Sequence, residues 1–166
     1  HQIDVAISGF TITPERAKIV NFTEPYYDAG LGALIDNKYK DQIKSLADLE
    51  GQTICAQIGT SGAMFAQKIK GAQVTQFNTA AESFMELNKG SCAAAVNDKP
   101  VLEYYLATTK NPNLSLLSDR FTFEQYGIVT AKDNEELTEK ISEGLKTIKA
   151  NGTYDKIYQK WFGKQE

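Results

Sequence analysis

The sequence predicts an α/β fold in which short strands alternate with helices along the chain. Apolar and β-branched runs such as 53–57 and 93–96 are bounded by turn residues, as strands are. The segment 79–90 begins with a capping box and ends at a glycine, which is typical of a helix. Alternation of this kind favours a sheet with largely parallel pairing.

The individual elements follow from the same signals. The predicted strands share short apolar or β-branched runs and are residues 4–7, 31–35, 53–57, 74–77, 93–96 and 123–130. The predicted helices share capping or proline signals and begin at Thr13–Pro14, Ser45, Gly62, Thr79, Val101, Asp133 and Thr153. We expect the helix after Gly62 to reach Gly71 and the last helix to end at 161–163. The long helix carries apolar residues at helical spacing, namely Leu137, Ile141, Leu145 and Ile148.

The order of these elements indicates two lobes. Residues 31–121 form a self-contained run of strand–helix units. Residues 1–25 and 127–166 read as parts of another lobe. We therefore expect the chain to cross between lobes at 26–30 and 122–126.

Composition excludes several classes of function. The chain has 18 basic and 21 acidic residues, a net charge of −3, and no basic stripe with interleaved aromatics, which argues against nucleic-acid binding. Its apolar runs are far shorter than the ~20 residues of a membrane-spanning helix. Its single histidine is His1, and CxxC spacing is absent, so we expect no metal, no cofactor and no serine–histidine or cysteine–histidine catalysis. The chain carries no signal peptide, but it begins without Met, so an upstream segment is expected.

The two cysteines allow one disulfide at most. Cys55 lies inside a predicted strand and Cys92 near the start of another, and the two positions look offset along the strands. Because a disulfide requires Cα atoms within roughly 7 Å, we expect two buried free thiols.

Polar residues follow three predicted strands, where ligands of open α/β sheets collect. The first group is residues 8–11 with Arg16, whose hydroxyls, backbone N–H groups and guanidinium suit a carboxylate or phosphate. Arg16 stands in the first turn of its helix, where an acidic residue would be favoured, so it is a candidate to bind an anion. The alternative is a surface arginine paired with Glu15 or Glu24.

The second group is 57–62, whose small residues and helix-start N–H donors would let a ligand approach the backbone. It lacks the phosphate-loop signature, and the alternative is a plain capped helix. The third group is Asn97 and Asp98, a candidate site for an ammonium group. The alternative is that Asp98 caps the helix that begins near Pro100. Together the three groups would suit both ends of a zwitterion.

Five segments carry a family resemblance, in the order DVAISGFTITPERAKIVNFTEPYY, QIGTSG, NDKP, EQYGIV and NGTYDKIYQKWFG. They resemble the extracytoplasmic solute-binding proteins (family 3 type) of polar amino-acid ABC importers, above all the glutamine-binding branch. The resemblance implies a type II periplasmic-binding-protein-like fold, with two lobes joined by a two-strand hinge and an amino acid held between them. It also implies membrane subunits of an ABC importer as partners, and a periplasmic or extracellular, cell-surface location.

The resemblance implies roles for individual residues. Arg16 would bind the ligand carboxylate, assisted by the amide and hydroxyl of Thr11, while Gly9 and Ser8 would face the α-amino group. Asp98 would bind the ammonium group. The remaining members of the expected site are Ser61, as a backbone donor to the carboxylate, with Thr60, Gln57 and Asn97, of which the last two would touch the ligand side chain.

The family's first portion is absent from this sequence, so the first lobe is expected to be incomplete. We expect a fragment, or one part of a two-chain assembly, with a missing segment supplied in trans or by a swapped copy. Ile7, Phe22 and the 137–148 helix would otherwise lack packing partners. Gln57 and Asn97 are neutral where some family members carry basic or aromatic groups. The preference of family members for a particular ligand side chain therefore does not transfer to this chain.

Two alternative functions use the same fold. A glutamate-receptor-like ligand-binding module would interrupt the domain with a membrane pore, for which the sequence has no apolar span. A dehydratase would need an acid or base over its substrate, and Asp98 and Glu124 are the candidates by position.

Overall fold

The computed structural model describes residues 2–162. The chain forms two compact units. The discontinuous unit combines residues up to Asp28 with residues from Glu124 onward, and the continuous unit is Ala29–Phe123. The chain passes between them at 28–29 and 123–124. Whether the segments 26–30 and 122–126 act as a hinge stays a prediction.

Ten strands and six α-helices occur within the described residues. The strands are β1 (Val5–Ala6), β2 (Val20–Phe22), β3 (Tyr27–Ala29), β4 (Leu31–Asp36), β5 (Thr53–Gln57), β6 (Gln73–Phe77), β7 (Ala94–Asp98), β8 (Leu114–Leu116), β9 (Glu124–Tyr126) and β10 (Val129–Ala131). The helices are α1 (Pro14–Ala17), α2 (Ser61–Ala66), α3 (Ala80–Lys89), α4 (Lys99–Thr109), α5 (Glu135–Ala150) and α6 (Thr153–Phe162), with short 3-10 turns at Asn37–Tyr39 and Leu46–Leu49.

Several predicted boundaries differ from these. The helix after Gly62 ends at Ala66 rather than near Gly71, and the predicted strand 123–130 is two strands separated at Gly127. Strands β2, β3 and β8 were not predicted, because three-residue strands carry too little periodicity to be recognised. The predicted end of the last helix includes Gly163, which lies outside the described residues.

The continuous unit is built on a five-stranded sheet in the order β6-β5-β7-β4-β8. Strand β5 is parallel to β6 and β7, whereas β4 is antiparallel to both of its neighbours, β7 and β8. The predicted, largely parallel sheet is therefore a mixed sheet with one reversed strand. Helix α2 connects β5 to β6 and helix α3 connects β6 to β7, and crossovers of this kind make successive strands parallel. Along the described segment 37–52, no α-helix connects β4 to β5, and β4 runs in the opposite direction.

Apolar residues cover both faces of this sheet. Ala33 and Ile35 of β4 pack in one cluster with Ile54 and Val96, and the intervening Leu34 packs in the other cluster with Leu102. Because successive strand side chains point to opposite faces, uninterrupted apolar runs are what a doubly covered sheet requires.

The expectation of two free thiols is wrong. Cys55 on β5 and Cys92, just before β7, form a disulfide with Cα atoms 5.9 Å apart. In the parallel register Cys55 stands opposite Ala95, three residues after Cys92, so the predicted offset is present, but it does not keep the two cysteines from bonding. Both cysteines are buried in the cluster that contains Leu34.

The discontinuous unit contains an antiparallel sheet in the order β1-β10-β2, with α5 packed against β10 and β2. Leu145 of α5 is buried and the other three apolar residues of the predicted stripe are half-buried, which confirms the amphipathic helix. Its N-cap is Asn134, one residue after the predicted Asp133. Ile7 is 62% exposed and Phe22 is half-buried. The expected pairing of this unit in trans stays a prediction.

Along residues 2–162, no helix is both long enough and apolar enough to cross a lipid bilayer.

Candidate ligand-binding site

In the discontinuous unit, the segment 8–12, here called the strap, is held against 125–127 by hydrogen bonds. The Phe10 carbonyl accepts from the Gly127 N–H at 3.0 Å, and the Ile12 N–H donates to the Gln125 carbonyl at 2.9 Å. Thr11 is 3% exposed, and its hydroxyl donates to the Glu124 carboxylate at 3.2 Å. The strap thus has a defined conformation, and the Thr11 hydroxyl has a partner within the unit.

Arg16 lies on the single turn of helix that follows the strap. Thr13 is the N-cap, as predicted, and its hydroxyl accepts from the Arg16 N–H at 3.2 Å. The guanidinium Nη1 donates to the Thr11 carbonyl at 3.0 Å, which ties the arginine side chain back to the strap. Because α1 has only four residues, its dipole is too small to carry the electrostatic argument that first drew attention to Arg16.

Glu24, a proposed salt-bridge partner of Arg16, lies beside α5. Its carboxylate is 3.8 Å from the Lys146 ammonium and 3.9 Å from that of Lys149. Arg16 is therefore associated with the strap through Thr11, while Glu24 is associated with α5.

Gly9 occupies the start of the strap with φ of +64°, a left-handed conformation that favours glycine. A Cβ at this position would lie 3.5 Å from the Tyr126 ring. The Gly9 N–H donates to the Tyr26 hydroxyl at 3.2 Å, whereas Ser8 is exposed. Burial raises the pKa of Tyr26, an effect that the hydrogen bond from Gly9 partly offsets.

In the continuous unit, the ends of β5 and β7 lie side by side. Ala56 pairs with Val96 in the parallel register, so Gln57 and Asn97 follow at the same edge of the sheet. The first turn of α2 packs on this edge, since a Cβ on Gly62 would lie 3.2 Å from the Val96 carbonyl oxygen and 3.5 Å from the Asn97 Cα. The second and third predicted groups are thus brought together by tertiary structure.

The turn between β5 and α2 is fixed by its own hydrogen bonds. Thr60 caps α2 by accepting from the Ala63 N–H at 3.1 Å, and its hydroxyl donates to the Gln57 carbonyl at 2.7 Å. The Gln57 side-chain amide donates to the Asn78 carbonyl at 3.3 Å. Ser61 follows as the first residue of α2.

Asn97 and Asp98 end β7. The Asn97 Oδ1 atom accepts from the Asp98 N–H at 2.7 Å, and the residue is 7% exposed. Its Nδ2 atom is buried and makes no hydrogen bond with any described residue. Asp98 takes the N-cap position of α4, but its side chain makes no capping hydrogen bond, so the helix-capping interpretation does not hold for this carboxylate.

The sequence analysis did not include Tyr26 or Tyr126 in the candidate site. The signal available for both was their position within the predicted crossings, 26–30 and 122–126. Among residues 2–162, no group of three or more histidine, cysteine, aspartate or glutamate side chains is arranged to hold a metal ion, and His1 lies outside the described range.

An α/β chain of two units, with polar groups at the ends of its strands, has the features of a ligand-binding protein. A family model of bacterial extracellular solute-binding proteins, family 3, matches residues 1–164, and the chain belongs to that family. The fold is that of the type II periplasmic binding proteins, as predicted.

Two curated relatives illustrate the relationship. The ABC transporter arginine-binding protein 1 of Escherichia coli K12 is 36% identical over 165 residues, which cover 96% of this chain and 66% of that protein. The glutamine-binding protein GlnH of Bacillus subtilis 168 is 37% identical over 161 residues, which cover 96% of this chain and 58% of that protein. The chain therefore spans less than two thirds of the length of these relatives.

Solved structures show the same fold. An ancestral arginine-binding protein, solved with arginine and with glutamine, superposes with a TM-score of 0.91 at 41% identity, over 98% of this chain and 72–73% of that one. An ancestral amino acid-binding protein described as a precursor of cyclohexadienyl dehydratase superposes with a TM-score of 0.89 at 36% identity, over 97% of this chain and 70% of that one. The names of these relatives include arginine as well as glutamine, so membership of the family does not select glutamine.

Proposed function

We propose that this chain binds a polar L-amino acid for delivery to the membrane subunits of an ABC importer. The proposal rests on one observation in the continuous unit. Asn97 and Asp98, at the end of β7, lie at the same edge of the sheet as the first turn of α2. A carboxylate, an amide and helix-start donors at one edge suit a small zwitterion.

Arg16 is the proposed partner of the ligand carboxylate. A guanidinium has five N–H donors in a rigid fork, and the bond from Nη1 to the Thr11 carbonyl orients that fork. Because the Thr11 hydroxyl donates to Glu124, it would have to leave that carboxylate to serve a ligand. We therefore propose the backbone amide of Thr11 as the better donor.

Asp98 is the proposed partner of the ligand ammonium group. We propose that the same ligand molecule contacts Arg16, Asp98 and the Ser61 amide, with Gly9 and Ser8 near its amino group. The buried Asn97 Nδ2 donor and the Gln57 amide would suit an oxygen-bearing side chain, which supports a glutamine-like ligand. Arginine is the second candidate, because relatives and solved structures carry its name.

Calorimetry on the natural full-length gene product tests the carboxylate partner. We expect Arg16→Ala to weaken binding of L-glutamine or L-arginine by about 100-fold, since two charge-assisted hydrogen bonds are lost. Arg16→Lys should recover only part of the affinity, because lysine lacks the planar fork. The matched control is Lys18→Ala, an exposed cation beside the same helix. Undiminished binding by Arg16→Ala would refute the assignment.

A ligand analogue tests the ammonium partner. We expect Asp98→Asn to weaken binding of the amino acid by about 10- to 100-fold, but to leave the binding of its deamino analogue unchanged, because that analogue has no charge for Asp98 to bind. Asp41→Asn, at an exposed position, is the control. An equal loss for both ligands would indicate a structural role for Asp98 instead.

We also propose an extracytoplasmic location. The Cys55–Cys92 disulfide supports it, because disulfides persist in oxidising compartments and are rare in the cytosol. Thiol labelling of denatured protein from rapidly quenched cells tests this: two reactive thiols in the natural protein would contradict it.

The dehydratase alternative retains one supporting observation, the ancestral dehydratase precursor among the solved structures. A turnover assay with prephenate-like acids separates the two functions, and a measurable rate that depends on Glu124 or Asp98 would favour the enzyme.

A further inference from the structure

The Tyr26 hydroxyl lies against the backbone at the start of the strap. It accepts the Gly9 N–H at 3.2 Å, across 17 residues of chain. The other hydrogen bonds of the strap lie further along it: backbone bonds at Phe10 and Ile12, and side-chain bonds of Thr11 to Glu124 and of Arg16 to the Thr11 carbonyl. The hydrogen bond at the Gly9 N–H itself is made by one side chain, that of Tyr26.

Tyr26 itself is held by neighbouring elements. Its N–H donates to the Tyr126 carbonyl at 2.9 Å, and its carbonyl accepts from the Tyr154 hydroxyl of α6. Its ring packs against the Tyr126 ring with centroids 6.2 Å apart. The hydroxyl that meets Gly9 is therefore carried by a side chain whose backbone and ring are both fixed.

The Gly9 hydrogen bond also determines where the neighbouring carbonyl points. A trans peptide is planar, so the Ser8 carbonyl points opposite to the Gly9 N–H. With the N–H directed at Tyr26, the Ser8 carbonyl is directed away from it. Gly9 adds the left-handed φ of +64°, which an L side chain rarely adopts and which accompanies this peptide orientation.

We propose that Tyr26 is a positioning residue for ligand binding, which fixes the Ser8–Gly9 peptide before the ligand arrives. The inference rests on the proposed function, since it assigns Ser8 and Gly9 to the amino end of the ligand. Without the hydroxyl, the peptide gains rotational freedom, and the ligand must order it on binding. Affinity then falls although no ligand contact has been removed.

The substitution Tyr26→Phe in the natural full-length product tests the proposal. We expect amino-acid affinity to fall about three- to tenfold, the range for loss of one neutral hydrogen bond. The Gly9 amide should exchange with deuterium faster in the ligand-free protein, because its acceptor has been removed. The control is Tyr105→Phe, a half-buried tyrosine of the continuous unit whose ring packs on Phe84 at 4.6 Å, and it should change neither quantity.

A second variant keeps the proposal testable if Tyr26→Phe does not fold. Tyr154→Phe removes the hydroxyl that holds the Tyr26 backbone, and it should shift both readouts in the same direction by a smaller factor. Wild-type affinity in a folded Tyr26→Phe protein overturns the proposal, as does unchanged Gly9 exchange.

Failure of the proposed function gives a different result. If Arg16→Ala and Asp98→Asn bind amino acids as well as the wild type does, the function is wrong and this inference falls with it. If those two variants lose binding while Tyr26→Phe keeps it, only the positioning role of Tyr26 is refuted.

Discussion

Reduction of the Cys55–Cys92 disulfide should destabilise the continuous unit strongly. The bond closes a loop with a sequence separation of 37, which contains α2, β6 and α3. Because all of that loop gains freedom in the unfolded chain when the bond is cut, the loop-closure relation gives about 13 cal/mol/K, or about 4 kcal/mol at 25 °C. At about 2–4 °C per kcal/mol for a chain of this length, the melting temperature should fall by about 8–16 °C.

The assay compares oxidised and reduced protein of identical sequence, so that no cavity is created in the core. Unfolding in urea is followed by circular dichroism, and thiols are counted before and after reduction. The double variant Cys55→Ala/Cys92→Ala serves as the control and should not respond to the reductant. Trp161, the single tryptophan, lies in the discontinuous unit, so its fluorescence shows whether that unit unfolds in the same transition.

Two results would refute the reasoning. Two free thiols in unreduced, denatured protein would show that the bond is absent. Equal urea midpoints, with reduction verified by thiol counting, would show that the loop gains little freedom in the unfolded chain, and the entropic estimate would then be wrong.

Two further predictions concern Gly30 and Asp48 of the continuous unit, with Gly144 of the discontinuous unit as a comparison for the first. A Cβ on Gly30 would clash with the Thr122 carbonyl oxygen, so Gly30→Ala should lower the free energy of unfolding by about 1–3 kcal/mol in urea titrations. Gly144→Ala, in α5 with open space around it, should raise the same quantity by about 0.5–1 kcal/mol, and similar effects of both variants would contradict the packing argument. The second prediction concerns Asp48, whose carboxylate accepts hydrogen bonds from the Lys44 backbone, which has the largest effect, and from Ser45. These hydrogen bonds lower the pKa of Asp48 below its ordinary 3.8. This stabilisation is present above pH 3.8 and is lost as the pH falls through the lowered pKa, so the melting temperatures of wild type and Asp48→Asn should converge in acid; a constant difference down to about pH 2 would argue against it.

Local elements were predictable because their signals lie within a few residues of each other. Strand β5 has the predicted bounds, Thr53–Gln57. Helix α3 has the predicted capping box at Thr79 and ends at Gly90, whose φ is +84°. A cap, a periodic apolar face and a left-handed glycine are each set by short-range sterics and hydrogen bonds.

The candidate site was only partly predictable. The residue types at the ends of β5 and β7 were visible in the sequence, but their adjacency depends on the parallel register that sets Ala56 beside Val96. The bond from Arg16 to the Thr11 carbonyl could not be predicted from the helix signals, because they place Arg16 in the first turn of the helix but do not say where its side chain points.

The sequence by itself determined the α/β class, most element positions, the apolar faces and the family resemblance, since each of these depends on residue type and on spacing over a few residues. Only the tertiary structure decided the reversed strand β4, the Cys55–Cys92 pairing and the contact of Tyr26 with Gly9. These features join residues far apart in the chain, and their partners are selected by the packing of the whole unit.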